Sequence, residues 1–314
     1  MASPAEPATR AGVFSHPYLL LTLTALFWGG NAVAGKLAAG SIPPLTLTAV
    51  RWAGAAILIF LLARPHLAKA MPVLRQRWRF LFLAGAIGFT LFNSALYGAL
   101  HYTSAINVSI EQAAMPMMII LISFIVFREP ITLVQGVGVI VSIVGVLLTA
   151  THGDLGMLVR MELNLGDAIM LLAVVAYSGY SVALRKKPDL PWQVLMFALA
   201  LSAAISALPG LAYDLASGRY PTPSPVTFGV LAYVVLFPSL LAQIFYMRSI
   251  QMIGANRAGA FFNLVPVFGA ALAVIVLGES VEIYQAIGLV LVIGGIALAE
   301  RSAHNAAARA PGGE

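Results

Sequence analysis

Cysteine is absent from all 314 residues, which rules out disulfides, thiol catalysis and cysteine-ligated metals. Charge is almost as scarce, since Asp, Glu, Lys and Arg supply 10% of the chain against 60% hydrophobic residues. A water-facing surface of ordinary polarity cannot be assembled from so few charges, so lipid is the expected solvent. Strand-type alternation is missing, which argues against a β-barrel. A phosphate-cradling loop is missing as well: Gly35-Lys36 runs into Leu37, with neither the upstream glycine nor the Ser/Thr of that motif, so ATP hydrolysis is not supported. There is no His-Glu-x-x-His pattern. His16, His66, His101, His152 and His304 are scattered, and Asp154, Asp167, Asp189 and Asp214 fall at loops or span edges. An intramembrane protease or metal enzyme is therefore disfavoured, no enzyme activity is expected, and no cofactor or metal is implied. The net charge of +6 does not point to nucleic acid, because in such a chain the location of the charges matters more than their sum.

What is present is a series of apolar runs, each near the roughly 20 residues that cross a bilayer core as a helix. Ten spans are expected: Tyr18 to Leu37, Leu45 to Ala63, Phe80 to Leu100, Ala105 to Phe127, Ile131 to Ala150, Ala168 to Leu184, Trp192 to Tyr213, Val226 to Ile250, Arg257 to Leu277 and Val281 to Ala299. With a cytoplasmic N-terminus, only Lys36, Arg51, Arg160 and Arg219 of the 18 basic residues fall outside, so the positive-inside rule places both termini in the cytoplasm. Ala32, Val33 and Ala34 look like a signal-peptide cleavage site. The stretch before them carries one Arg and one Glu rather than a basic cluster, so the first run reads as a retained span. Residues 1–16 and 301–314, rich in Ala, Pro and Gly, read as disordered cytoplasmic tails.

The chain repeats itself. A shift of 150 lays Pro116 on Pro266, Glu129 on Glu279, Gln135 on Gln285, Gly138 on Gly288 and Gly145 on Gly295. A shift of 149 lays Trp28 on Tyr177, Gly30 on Gly179, Lys36 on Arg185 and Tyr97 on Tyr246. Residues 17–150 and 166–300 are then two five-helix repeats joined by an extracytoplasmic linker at 151–165. Five is odd, so the second copy enters the bilayer from the opposite side, as in inverted-repeat transporters. The expected fold is all-α and integral to the membrane, with ten helices around a central cavity.

Polar groups inside spans are costly, so they mark the candidate solute path. Trp28 and Asn31 share a face of span 1, and Asn93, Tyr97 and His101 share one of span 3. Span 4 presents Asn107, Glu111, Gln112, Met115 and Met118; span 6 presents Tyr177, Tyr180 and Ser181; span 8 presents Ser239, Gln243 and Tyr246; span 9 presents Asn256, Phe262, Asn263 and Pro266. Aromatic rings with amides between them suit a solute with an apolar or aromatic body and a polar head. Packing between helices is the alternative for any one ring. Glu111 is the one carboxylate placed well inside a span, as a proton-exchanging group, a partner for a substrate ammonium, or a hydrated acid near the outer mouth. Glu129 and Glu279 read as structural, each just ahead of a helix whose N-terminal dipole favours an acid. Arg51, Arg185 and Lys36 lie near span ends and are expected to snorkel. Pro116 and Pro266 are expected to interrupt spans 4 and 9. The glycines of spans 5 and 10 permit close packing, and pairing of two copies through them stays open.

The stretch Ala99 to Leu148, with its echo from Met252 to Leu298, resembles the closing part of an EamA repeat of the drug/metabolite transporter superfamily. LFWGGNAVAGK and Arg51-Trp52 also fit that family. The resemblance covers nearly the whole chain. It implies ten helices, a bacterial inner-membrane location and export of metabolites or amino acids without ATP; within the family the chain is similar to exporters of aromatic amino acids. Glu111-Gln112 departs from the usual small or apolar residues before the proline, a departure that bears on specificity.

Overall fold

Long runs of Leu, Val, Ile and Ala satisfy every backbone hydrogen bond internally only as helices when lipid surrounds them. The computed structural model describes residues 15–154, 156–160 and 164–309, and every regular element among them is helical. Residues 1–14 and 310–314 of the expected tails, and 155 and 161–163 of the expected linker, lie outside the described residues. Among the described residues, nine helical segments are long and apolar enough to cross a membrane: α1 Pro17–Ala38, α2 Pro44–Ala99, α3 Ala105–Phe127, α4 Leu133–Ala150, α5 Leu165–Lys186, α6 Trp192–Ala216, α7 Pro225–Ile253, α8 Arg257–Leu277 and α9 Ile283–Glu300.

The sequence reading expected spans 2 and 3 to be separate, with a charged loop between them, whereas α2 stays helical throughout. Ala, Leu, Arg and Lys in that stretch are good helix formers, and Pro65 and Pro72 supply the places to bend. Bend it must. Trp52 and Phe89 stack with ring centroids 4.3 Å apart, although 37 residues of straight helix would separate them by about 55 Å. The two arms of α2 therefore run back along each other and along α6. The other end of the chain departs too: the final helix continues to Arg309, where a disordered tail was expected from residue 301.

Interruptions recur at matching places in the two halves. A π-helical turn occupies Ala86–Leu91 in α2 and another Phe237–Leu241 in α7. The helix α3 breaks at Ala113 and Ala114, and α8 passes through a 3₁₀ turn at Ala260–Asn263. Pro116 and Pro266 then fall in the first turn of the segments that follow, where no donor is needed, so they restart helices rather than disrupt their middles. The next helix end is capped in the left-handed conformation by Arg128 in one half (φ 55°) and by Gly278 in the other (φ 70°). Thr132 and Gln135 then form a capping box that opens α4, and Gln285 accepts from the Glu282 N–H at the start of α9.

The repeated glycines pack α4 against α9. A Cβ added at Gly138 would lie 2.6 Å from the Gly295 carbonyl oxygen, and one at Gly145 would lie 2.7 Å from that of Gly288. Only glycine allows this approach, and the two helices use their small residues on each other.

Candidate functional site

Arg51 is the departure that organises the site. Expected to snorkel from a span end, it lies only 5% exposed among side chains of α1, both arms of α2, and α7. Its Nη1 donates to Asn31 Oδ1 and Asn93 Oδ1, each at 2.7 Å, and to the Tyr97 hydroxyl at 2.6 Å. Its Nε donates to Ser239 Oγ at 2.7 Å, while Tyr97 donates in turn to Asn31 Oδ1. The amide of Asn93 is fixed by donating to the Phe89 carbonyl within the π-helical turn, and Ser239 sits in the matching turn of α7. The guanidinium also lies 4.9 Å from the centroid of the Trp52 ring. Asn31, Asn93 and Tyr97 are thus brought together as expected, around a residue that sequence reasoning passed over.

His101 does not join them. It lies beyond the end of α2, exposed, in a cavity of ≈ 530 Å³ at one end of the bundle that Lys36, Asn107, His152, Glu279 and Tyr284 also line. Burial and the nearby Lys36 charge lower its pKa below the ordinary histidine value. Lys36, also expected to snorkel, instead donates to the carbonyls of Leu100 and Thr103.

The aromatic candidates form two groups. Trp28 stacks on Phe262 at 4.9 Å and meets Tyr246 at 5.5 Å, while its Nε1 donates to the Pro238 carbonyl. Tyr177 and Tyr180 pack together and against Phe92 and Phe89 respectively. Ring contacts lead from the Arg51 node to this pair, through Trp52 on Phe89 and Phe89 on Tyr180. Several side chains expected to line an open central chamber therefore contact one another through hydrogen bonds and ring packing across the helices. Gln243 is half-buried on α7, Met115 packs on the core, and Asn263 donates weakly to Glu300. Nothing is described for the side chain of Asn256.

Glu111 is fully buried, with the Asp167 carboxyl beside it. The Gln112 amide nitrogen is buried and unpartnered among the described residues. The charged neighbour that Glu111 faces is Asp167, which accepts from the Thr103 hydroxyl and pairs with His152 Nε2 at 3.1 Å. Two carboxyls brought together in a buried site are costly unless other groups satisfy them.

Three carboxylates, on α6, on the connection between α8 and α9, and on α5, reach elements of the first half at one end of the bundle. Asp214 accepts from the Thr46 N–H and hydroxyl, both at 3.0 Å, at the start of α2. Glu279 accepts from the N–H groups of Ala105 and Ile106, at 2.9 and 3.0 Å, at the start of α3. Asp167 reaches Thr103 and Asn107 beside it. Glu279 is structural, as expected, but it serves the N-terminus of α3 rather than that of the helix after it. Gln285 adds a bond from its amide to Asn107 Oδ1 at 2.7 Å.

Comparison with known proteins agrees with this repeated architecture. One family model, that of the EamA-like transporter family, matches twice, at residues 16–151 and 164–300. The chain is 27% identical over 283 residues to the uncharacterized transporter YyaM of Bacillus subtilis, covering 89% of this chain and 92% of that one. It is 27% identical over 309 residues to an uncharacterized transporter of Archaeoglobus fulgidus, covering 92% and 99%. A solved crystal structure shares the fold at a TM-score of 0.60 and 23% identity, with 92% of this chain and 98% of that one covered. Because the same model accounts for both halves, the chain belongs to the EamA-like transporter family and is a multi-pass membrane protein.

Proposed function

We propose that this transporter crosses the membrane ten times as two inverted five-helix repeats and exports small organic solutes by alternating access, with amino acids, aromatic ones included, as the leading class. One observation carries the reading: the two halves match in their helix interruptions, yet the two ends of the bundle differ. Three carboxylates tie the two halves together at the Glu279 end, whereas the corresponding Glu129 pairs with Arg185 alone among the described residues, both half-exposed. Such a difference is what one state of a rocking pair would present. Inversion is supported by the end of α1 lying beside the start of its counterpart α5: Lys36 bonds Thr103, which bonds Asp167. Both arms of the folded-back α2 would count as crossings. Arg64, Arg75, Arg77 and Arg79 within that bend, with Arg185, Lys186 and Lys187, favour a cytoplasmic Glu129 end and cytoplasmic termini in a bacterial inner membrane.

The rings of Trp28, Tyr177, Tyr246 and Phe262, next to Asn31, Asn93 and Tyr97, would accept an apolar body and a polar head once they part. Reconstitution into liposomes with labelled amino acids and other metabolites, with and without a pH gradient, tests this. Saturable flux of amino acids that Trp28→Ala abolishes is expected. Flux of some other solute class alone would replace the amino-acid reading, and detection of peptide or lipid hydrolysis without flux would replace the transporter reading for this chain.

A further inference from the structure

Arg51 places a positive charge in the interior of the bundle, and the structure surrounds it with neutral oxygens and the Trp52 ring. Asn31, Asn93, Tyr97 and Ser239 satisfy Nη1 and Nε, and no carboxylate pairs with it among the described residues. Nη2 takes no hydrogen bond there. An ionised group taken out of water is strongly penalised unless paired, and intramembrane charges usually have partners. A cation held ready by dipoles yet lacking a counter-ion is a site awaiting an anion.

The repeat provides a control for a purely structural role. At the shift of 149, Arg51 corresponds to Ala200, Asn31 to Tyr180 and Asn93 to Ala242. The second half builds the same helices with its counterparts of these three residues apolar or aromatic. Both Ala200 and Ala242 are fully buried. The fold of a five-helix unit does not require the polar node.

We infer that Arg51 anchors a solute carboxylate, with Nη2 as the donor and Tyr97 and Asn93 holding the guanidinium in place. A single cation with one free donor nitrogen suits a singly charged carboxylate better than a phosphate, which recruits several cations or a bidentate fork. The adjoining rings would take the body of the same molecule. This inference rests on the transport reading above and narrows its substrate class to monocarboxylates, amino acids among them.

The test compares carboxylates with analogues that lack the carboxylate, on the full-length protein. The probes are phenylalanine, phenylalaninamide, 3-phenylpropionate and phenylethylamine, assayed by intrinsic tryptophan fluorescence in detergent and by competition with labelled phenylalanine in liposomes. Wild-type protein should prefer phenylalanine over phenylalaninamide, and 3-phenylpropionate over phenylethylamine, by about tenfold or more, the scale of one charge-assisted hydrogen bond. Arg51→Gln should shrink that preference to less than about threefold, and Arg51→Lys should restore part of it. The acid-versus-amide comparison on wild type needs no variant, so misfolding of Arg51→Gln cannot rescue the inference. Equal binding of acid and amide, or an unchanged preference in folded Arg51→Gln, overturns the anchor while leaving transport intact. Acid-selective binding without flux keeps the anchor and removes the transport reading. Neither binding nor flux at millimolar probe counts against both.

Discussion

Glu279 and Glu129 stand at the same place in the two repeats, but their surroundings differ. Glu279 holds the first two N–H groups of α3, with Asp214 and Asp167 making similar contacts nearby, whereas Glu129 meets one exposed arginine. The companions of Glu279 have no acidic counterparts, since at the shift of 149 Asp214 corresponds to Pro65 and Asp167 to Tyr18. The seam between α4 and α9, by contrast, uses glycine against glycine from both copies. Packing that must persist is therefore alike in the two halves, and the polar ties that differ between them sit where the ends would open and close. A helix N-terminus is a good partner for a carboxylate and is also one that water can replace, so such ties are strong enough to hold one state and weak enough to release it.

That contrast predicts an order of effects. Gly138→Leu strikes the shared seam and should be the most damaging, because the new side chain must displace the Gly295 backbone; overpacking of about 1–3 kcal/mol or more should appear as a large loss of folded protein in size-exclusion profiles. Glu279→Ala should come next, with two N–H groups left unsatisfied at a cost of about 1–3 kcal/mol in thermal unfolding. Glu129→Ala should cost less than about 1 kcal/mol, as expected of an exposed ion pair. Equal losses from these two alanines would erase the difference between the ends. Glu111→Gln is expected to leave the fold intact and flatten the pH dependence of transport, and an unchanged profile with normal activity would remove Glu111 from the mechanism. The smallest effect belongs to His101. Its pKa in the folded protein lies below the ordinary 6.5, so the unfolded chain binds the proton more readily and stability falls on acidification through that value. His101→Asn should therefore make the unfolding midpoint less sensitive to pH between about 7 and 5.

Most helix positions are legible from apolar runs, because they follow directly from backbone satisfaction, whereas the π-helical turns leave no such signal and Pro116 and Pro266 mark helix restarts rather than mid-helix breaks. Gln135 and Gln285 stood out as repeated landmarks, and their capping geometry explains why. The long-range polar contacts were not legible in the same way. Arg51 lies seven residues past the start of α2, where hydropathy alone places a snorkelling side chain, and only the partners from α1 and α7 reveal that it points inward. A signal is present: Arg51 and Asn93 correspond to Ala200 and Ala242 at the shift of 149. Asp167 and Asp214 were set aside as edge residues, although they end up buried against the other half. His101 shared a helical face with Asn93 and Tyr97 by periodicity, but the helix stops at Ala99 and the shared face stops with it.

The central claim is that the two ends open in alternation. Because the chain has no native cysteine, spin labels can be placed without background at Tyr102→Cys with Glu282→Cys at the Glu279 end, and at Lys187→Cys with Gln251→Cys at the other. Distance distributions from pulsed electron–electron resonance, recorded with and without a transported amino acid, should shift in opposite directions at the two ends. Distances that lengthen together, or that stay fixed at both ends while solute is transported, would contradict it.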